Sequence, residues 1–550
     1  MKDFEEKLLK RWLKRKVKIT LATIVVFLIS SSLSLAETLY IRDGENGVEF
    51  SIDNQNWGEN PYPENSFENW IYTNNRKIES DRVGVVNRAT NISIINSNLI
   101  VVNSQESAWG IDNNQAIGKI INKGLLEVNG TFFATGIGNY GGIIEELLNQ
   151  GMIRATTTSA GLETAYGINN QGIIENLQNN GLIIGKGYYV GIENFGGIVS
   201  KLENKGIIMS EESDYAIGIN NGCYSFIMEN GGIIDSLTNK GIIDVKGNLS
   251  AYGIQNSSDG VINNLLNQGI IKIISSDSAI GIANLSNEMI ENISNEGIIE
   301  VVGINSAIGI KFPAKKETKN KGVIKVTSSR SDARGIDITA TNKEAESILN
   351  EGIIEVVGGS SNVNAIYTSE EIDSLVNKGI LKTKGSNSLI ATIGVNDNND
   401  KIKKLEQNGI VFSDSLTIKF KSSNTDNIIN NGLLIGNSSK FIENNYINNG
   451  MIFSLNNGKY KIENIGSSSN VINAALTDEE NKNTNNWTAT GSESIALDEN
   501  KSDIIYNGIT NTLKVDGART LANSIVNGYT SAIVFDENGG SLTLDNSIIN

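Results

Sequence analysis

Chemistry has few places to sit in this chain of 550 residues, which contains no His and a single Cys, Cys223. Without imidazole, neither a His-based triad nor a His metal site can be built. One thiol cannot close an intrachain disulfide. There is no Gly-x-Ser-x-Gly elbow and no Gly-Lys-Ser/Thr phosphate loop. Asn396-Asp397-Asn398-Asn399-Asp400 is the nearest approach to a calcium loop, but it lacks the spaced ligands and closing Glu, and reads as an acidic solvated turn. Carboxylates are plentiful, with 62 Asp and Glu. The catalytic class left open is a β-helical polysaccharide hydrolase or lyase, with paired carboxylates in a groove. No such pairs recur on neighbouring repeats, so the expectation is a non-enzymatic protein with no metal and no cofactor.

The elements that would position any site are repetitive. Asn-x-Gly followed by an apolar stretch recurs with its Gly at 124, 151, 181, 206, 241, 269, 297, 322, 352, 379, 432 and 450, and as Gln407-Asn408-Gly409. These steps average about 27 residues. Nine residues before several of them stands a second element, as in Gly142-Ile143-Ile144 and Gly172-Ile173-Ile174. A third precedes it, as in Ala108-Trp109-Gly110-Ile111 and Ala165-Tyr166-Gly167-Ile168. Nine residues suit a strand and a turn, Ile and Val favour strands, and Asn and Gly tolerate positive φ in turns. Three strands per repeat with no helix between them predict an all-β fold, a single-stranded parallel β-helix with one rung per 27 residues. The crossover rule makes it right-handed.

Register can be checked within the sequence. The second and fourth residues after each glycine are aliphatic, as in Ile243/Val245, Ile299/Val301 and Ile354/Val356. The third residue, expected to face outward, is Asp244, Lys272, Glu300, Lys325, Glu355 and Lys382 in turn. The sign alternates, as stacked strands about 4.8 Å apart would favour. The Asn two places before each glycine, including Asn239, Asn267, Asn295, Asn320, Asn350 and Asn377, is expected to stack into a side-chain amide ladder.

Residues 1–36 carry eight Lys/Arg and three acids, then an uncharged apolar run from Ile19 to Ile29, with small residues Ser34 and Ala36 behind it. This is the pattern of a secretory signal, cut between Ala36 and Glu37; eleven apolar residues are too few to span a bilayer. The whole chain has a net charge of −16. Without 1–36 it keeps 38 basic and 59 acidic residues, a net of −21, which repels nucleic acid and anionic lipid. The predicted organisation is a signal peptide at 1–36, an N-terminal cap at 37–85, the β-helix at 86–465 and a less regular β-rich continuation at 466–550.

Lys10-Arg11-Trp12-Leu13-Lys14-Arg15-Lys16-Val17-Lys18-Ile19-Thr20 looks like the extended signal region of large autotransporters of Gram-negative bacteria. The Asn-x-Gly-Ile-Ile and Ala-Tyr-Gly-Ile elements are similar to autotransporter passenger β-helices. The resemblance covers most of the chain and implies export through a C-terminal outer-membrane barrel and display at the cell surface, commonly for adhesion. No series of alternating membrane-length strands is evident after 465, so the expectation is a passenger without its translocator: truncated, split or anchored otherwise. The membrane would then enter only through the export signal or the missing barrel. The expected partner is a protein or glycan on a host or neighbouring cell. The other readings are the polysaccharide enzyme above and a purely structural secreted solenoid. Binding is expected where the repeat is interrupted. One such place carries Cys223, Tyr224 and Phe226, and another carries Lys315, Lys316 and Lys319 beside Phe312-Pro313.

Overall fold

The computed structural model describes residues 38–550 except 45–46, 52, 59–64, 67–70, 158–163, 223–230, 287–289, 340–344, 360–361, 386–390, 396–401, 415, 420–427, 437–445, 457–458, 475–494, 509–511 and 529–530. Among the described residues there are strands and no helix. The chain divides into two compact units, Met1–Lys272 with Leu285–Met289, and Ile273–Asn284 with Ile290–Asn550. Each unit winds as a parallel β-solenoid with a repeat of about 27 residues.

One turn in the first unit runs through Ile117–Asn122, Leu125–Gly130 and Phe133–Asn139. Each strand pairs in parallel with its counterpart in the next turn: Ile143–Asn149, Met152–Thr157 and Thr164–Asn170. Parallel stacking already begins with Leu39–Gly44 on Val83–Arg88, followed by Ile71–Asn74 on Ser93–Asn96. In the second unit the same three-strand turn appears in Ile298–Gly303, Ser306–Lys311 and Glu317–Asn320. Inward positions are closed to solvent: Ile299, Val301, Ile324, Val326, Ile354 and Val356 are all 0% exposed. Between them, Glu300, Lys325, Glu355 and Lys382 stack in register on the outer surface. Lys325 approaches Glu300 at 3.7 Å and Lys382 approaches Glu355 at 2.9 Å. Asp244 and Lys272 occupy the same position in the first unit, partly exposed between buried Ile243, Val245, Ile271 and Ile273.

The glycine of Asn-x-Gly has a different physical cause from the one its sequence suggests. None of these glycines is among the positive-φ residues. Their constraint is close approach. A Cβ on Gly322 would lie 2.0 Å from the carbonyl oxygen of Gly297, and one on Gly352 would lie 2.1 Å from that of Gly322. The turns stack so tightly at this corner that only a hydrogen fits. The same contact recurs in the first unit, where a Cβ on Gly181 would lie 2.0 Å from the Gly151 oxygen.

The second unit does not simply wind on to residue 550. Met451–Asn456 and Lys459–Ile465 form an antiparallel hairpin. After it, Val471–Ala474, Ile505–Gly508, Ile525–Gly528 and Ile548–Ile549 make a separate parallel sheet. Side-chain amides fasten this sheet to the turn corners. Asn473 Nδ2 donates to the carbonyl of Asn449 at 2.8 Å, and Asn507, Asn527 and Asn550 donate to the carbonyls of Asn431, Asn408 and Lys378 at 2.7 Å. Donor numbers rise while acceptor numbers fall. The C-terminal segment therefore runs back along turns already laid down.

Candidate functional site

The candidate surfaces rest on a frame of buried amides. Asn239 donates to Asn267 at 2.8 Å, and Asn295→Asn320, Asn320→Asn350 and Asn350→Asn377 follow at 2.7 Å each, with Asn377 donating to Gln407 Oε1 at 2.6 Å. All of these Asn residues are buried. Each Oδ1 accepts from one turn while the Nδ2 donates to the next, so the buried amides of this row satisfy one another. A second amide row in the first unit joins Asn87, Asn113, Asn139, Asn170, Asn194, Asn221 and Asn256 at 2.7–2.9 Å. Its sequence signal is the Asn two residues after the Ile of Ala-x-Gly-Ile. Replacing Asn320 by Ala leaves Asn295 without its acceptor and Asn350 without its donor. The expected cost is about 1–3 kcal/mol, read from the urea midpoint.

On this frame the first unit carries an aromatic row. Trp109, Phe133 and Tyr166 come from the third strands of consecutive turns. Their ring centroids are 5.9 Å and 5.3 Å apart, and all three are partly exposed. Phe132 stands beside them with 56% of its surface in solvent. The indole Nε1 of Trp109 donates to the Tyr140 hydroxyl at 3.0 Å, which fixes the edge of the row. Burial is the main influence raising the Tyr140 phenol above its ordinary range.

In the second unit the returning sheet and the solenoid wall enclose a groove of about 540 Å³. Lys321, Glu351, Lys378 and Asn408 line the solenoid side. Asp503, Asn523 and Asn546 line the other, all three in the left-handed conformation. Burial pushes the Glu351 carboxyl up, but Lys319 at 2.8 Å and Lys378 at 3.5 Å outweigh it and hold it below the usual glutamate range. A carboxylate held in this way is a poor proton donor to a leaving group, while it keeps the charge that a nucleophile or base needs. The groove is lined by amide and charged side chains that can hydrogen-bond a polar ligand.

The interruption at 312–319 lies within the wall. Glu317–Asn320 pairs in register with Ile290–Asn295 on one side and Ala345–Asn350 on the other. Lys316 bonds Glu291 at 2.7 Å and Lys319 bonds Glu351, while the Lys315 backbone N–H donates to the Ile290 carbonyl. Two of the three lysines are therefore ion-paired with carboxylates of adjacent turns. Cys223, Tyr224, Phe226, the Asn396–Asp400 run, Ala36 and Glu37 lie outside the described residues. No helix among the described residues is long and apolar enough to cross a membrane, which says nothing of a β-barrel.

No protein-family model, curated protein or solved structure matches the chain.

Proposed function

We propose that this chain is an exported, surface-displayed passenger of the autotransporter type that acts without catalysis, as an adhesin or cell-surface interaction protein. The observation that carries the reading is the row of Trp109, Phe133 and Tyr166 beside exposed Phe132, on a wall braced by a buried amide ladder. Exposed aromatics on a rigid support are the residue types that anchor protein interfaces. The groove in the second unit adds amide and charged side chains that can hold a polar ligand. The basic, apolar and small-residue sequence of 1–36 supports export.

The test has two arms. Protease added to intact cells should degrade the protein while periplasmic markers survive. The secreted chain should bind host cells or matrix, and Phe132→Ala/Tyr166→Ala should lose at least tenfold in affinity, as expected for interface anchors. A parent chain that binds no cell or matrix, or one found only in the periplasm, would defeat the proposal.

A further inference from the structure

We infer that the first unit carries a docking stripe for a cationic amphipathic helix on the strand that precedes each Asn-x-Gly corner. Ile143, Ile173, Ile198 and Ile233 stack in register across four consecutive turns. They are 42%, 36%, 37% and 38% exposed, although the next residue in each strand is 0% exposed. Four aliphatic side chains in one line on the outside of a wall form a continuous apolar strip, which is unlike scattered surface Ile.

Two residues further along each strand stand Glu145, Glu175, Ser200 and Asp235, all exposed. Among the described residues, neither Glu145 nor Glu175 has a cation in ion-pair contact, and Asp235 has only the amide of Asn263 at 2.9 Å. The second unit treats the same position, four residues before the ladder amide, in the opposite way. There Glu291 pairs with Lys316 at 2.7 Å and Asp373 with Lys403 at 2.7 Å. Where the face is simply solvated, the chain supplies its own counter-ions. In the first unit Lys119 acts on Glu145 only from beyond ion-pair distance and Asp235 has only an amide, beside exposed Ile, and the missing partner chemistry is positive and aliphatic.

Spacing selects a helix lying along the stack. Successive Ile are about 4.8 Å apart, so the four span about 14 Å. Helix positions i, i+3, i+7 and i+10 advance by about 4.5, 10.5 and 15 Å, close to that spacing. An extended peptide laid the same way would present one face every ~6.6 Å and fall out of step. Lys or Arg flanking the apolar face of the helix would reach the carboxylate row about 6.6 Å to the side of the Ile row.

The probe is a 14-residue Leu/Lys peptide with helical amphipathicity, set against a scrambled peptide of equal composition. The amphipathic peptide should bind the full chain and gain helicity by circular dichroism. Ile173→Thr/Ile198→Thr keeps β-branched residues in the strands and should weaken binding at least tenfold. Glu145→Gln/Glu175→Gln should weaken it several-fold and flatten its dependence on salt, whereas Glu291→Gln in the second unit should not change it. Equal binding of the scrambled peptide, or an Ile variant that binds like the parent, would reduce the effect to bulk negative charge and overturn the proposal. Ile-dependent binding to zwitterionic vesicles in place of the peptide would overturn it in favour of a lipid surface.

Discussion

Gly322→Ala is expected to destabilise the second unit by about 3 kcal/mol, the upper end of what overpacking ordinarily costs. The new methyl carbon would sit 2.0 Å from the Gly297 oxygen and 2.8 Å from the backbone of Glu296 and Gly297. Neither neighbour can swing away. The Gly322 N–H donates to the Asn295 carbonyl at 2.9 Å, and the Val323 N–H donates to the Gly297 carbonyl itself. Relief of the clash has to open the stack and break bonds that repeat at every turn. Gly58 provides the control, since a Cβ there meets nothing within 4 Å, and Gly58→Ala should stay within about 0.5 kcal/mol of the parent. Urea unfolding followed by circular dichroism measures both. If the two variants unfold together, close stacking is not what holds glycine at Asn-x-Gly.

That corner also marks how far the sequence can be read. Periodicity exposes the solenoid, its three strands per turn and its inward Ile and Val, because each depends on a local pattern repeated many times. The cause of each glycine is not local. The turn that forbids a methyl at Gly322 is 25 residues earlier, and a single-sequence reading assigns the residue to turn conformation instead. The second amide row has its trace in the Asn two residues after the Ile of most Ala-x-Gly-Ile motifs, but the pairing of those amides needs the turns to be stacked. Trp109 and Tyr166 lie inside the same motif, while their contact with Phe133 needs the stacking of three turns. The groove is the least legible feature. It depends on Asn507, Asn527 and Asn550 finding carbonyls 76, 119 and 172 residues earlier. Its sequence trace, Ile-Tyr-Asn-Gly at 505–508 and Ile-Val-Asn-Gly at 525–528, gives the repeat without its direction. The charged segment at 315–319 shows the converse, because its lysines look basic until the carboxylates of adjacent turns are placed beside them.

Stability should fall with rising pH through one buried acid, and Glu193→Gln should abolish that part of the dependence. Glu193 lies in Tyr188–Asn194 and is 2% exposed, in register between Asn169 and Asn220. Burial pushes its carboxyl well above the ordinary glutamate range. Asn220 Nδ2 opposes the shift by donating to both oxygens, at 2.9 Å and 3.1 Å, without outweighing it. No Lys or Arg flanks Glu193 in the register of its own strand. The folded state thus holds this proton more tightly than the unfolded chain does. The resulting stabilisation is complete below the unfolded glutamate value, about 4.3, and is lost as pH rises from there towards the raised folded value. Over that window one proton changes stability by at most about 1.4 kcal/mol per pH unit. Gln keeps the shape and cannot ionise. Parent and variant should therefore unfold at similar urea concentrations near pH 4, and the variant should gain on the parent progressively towards pH 8. A gap that stays constant across that range would mean that Glu193 carries no proton in the folded chain, and that the polar row around it tolerates a buried charge.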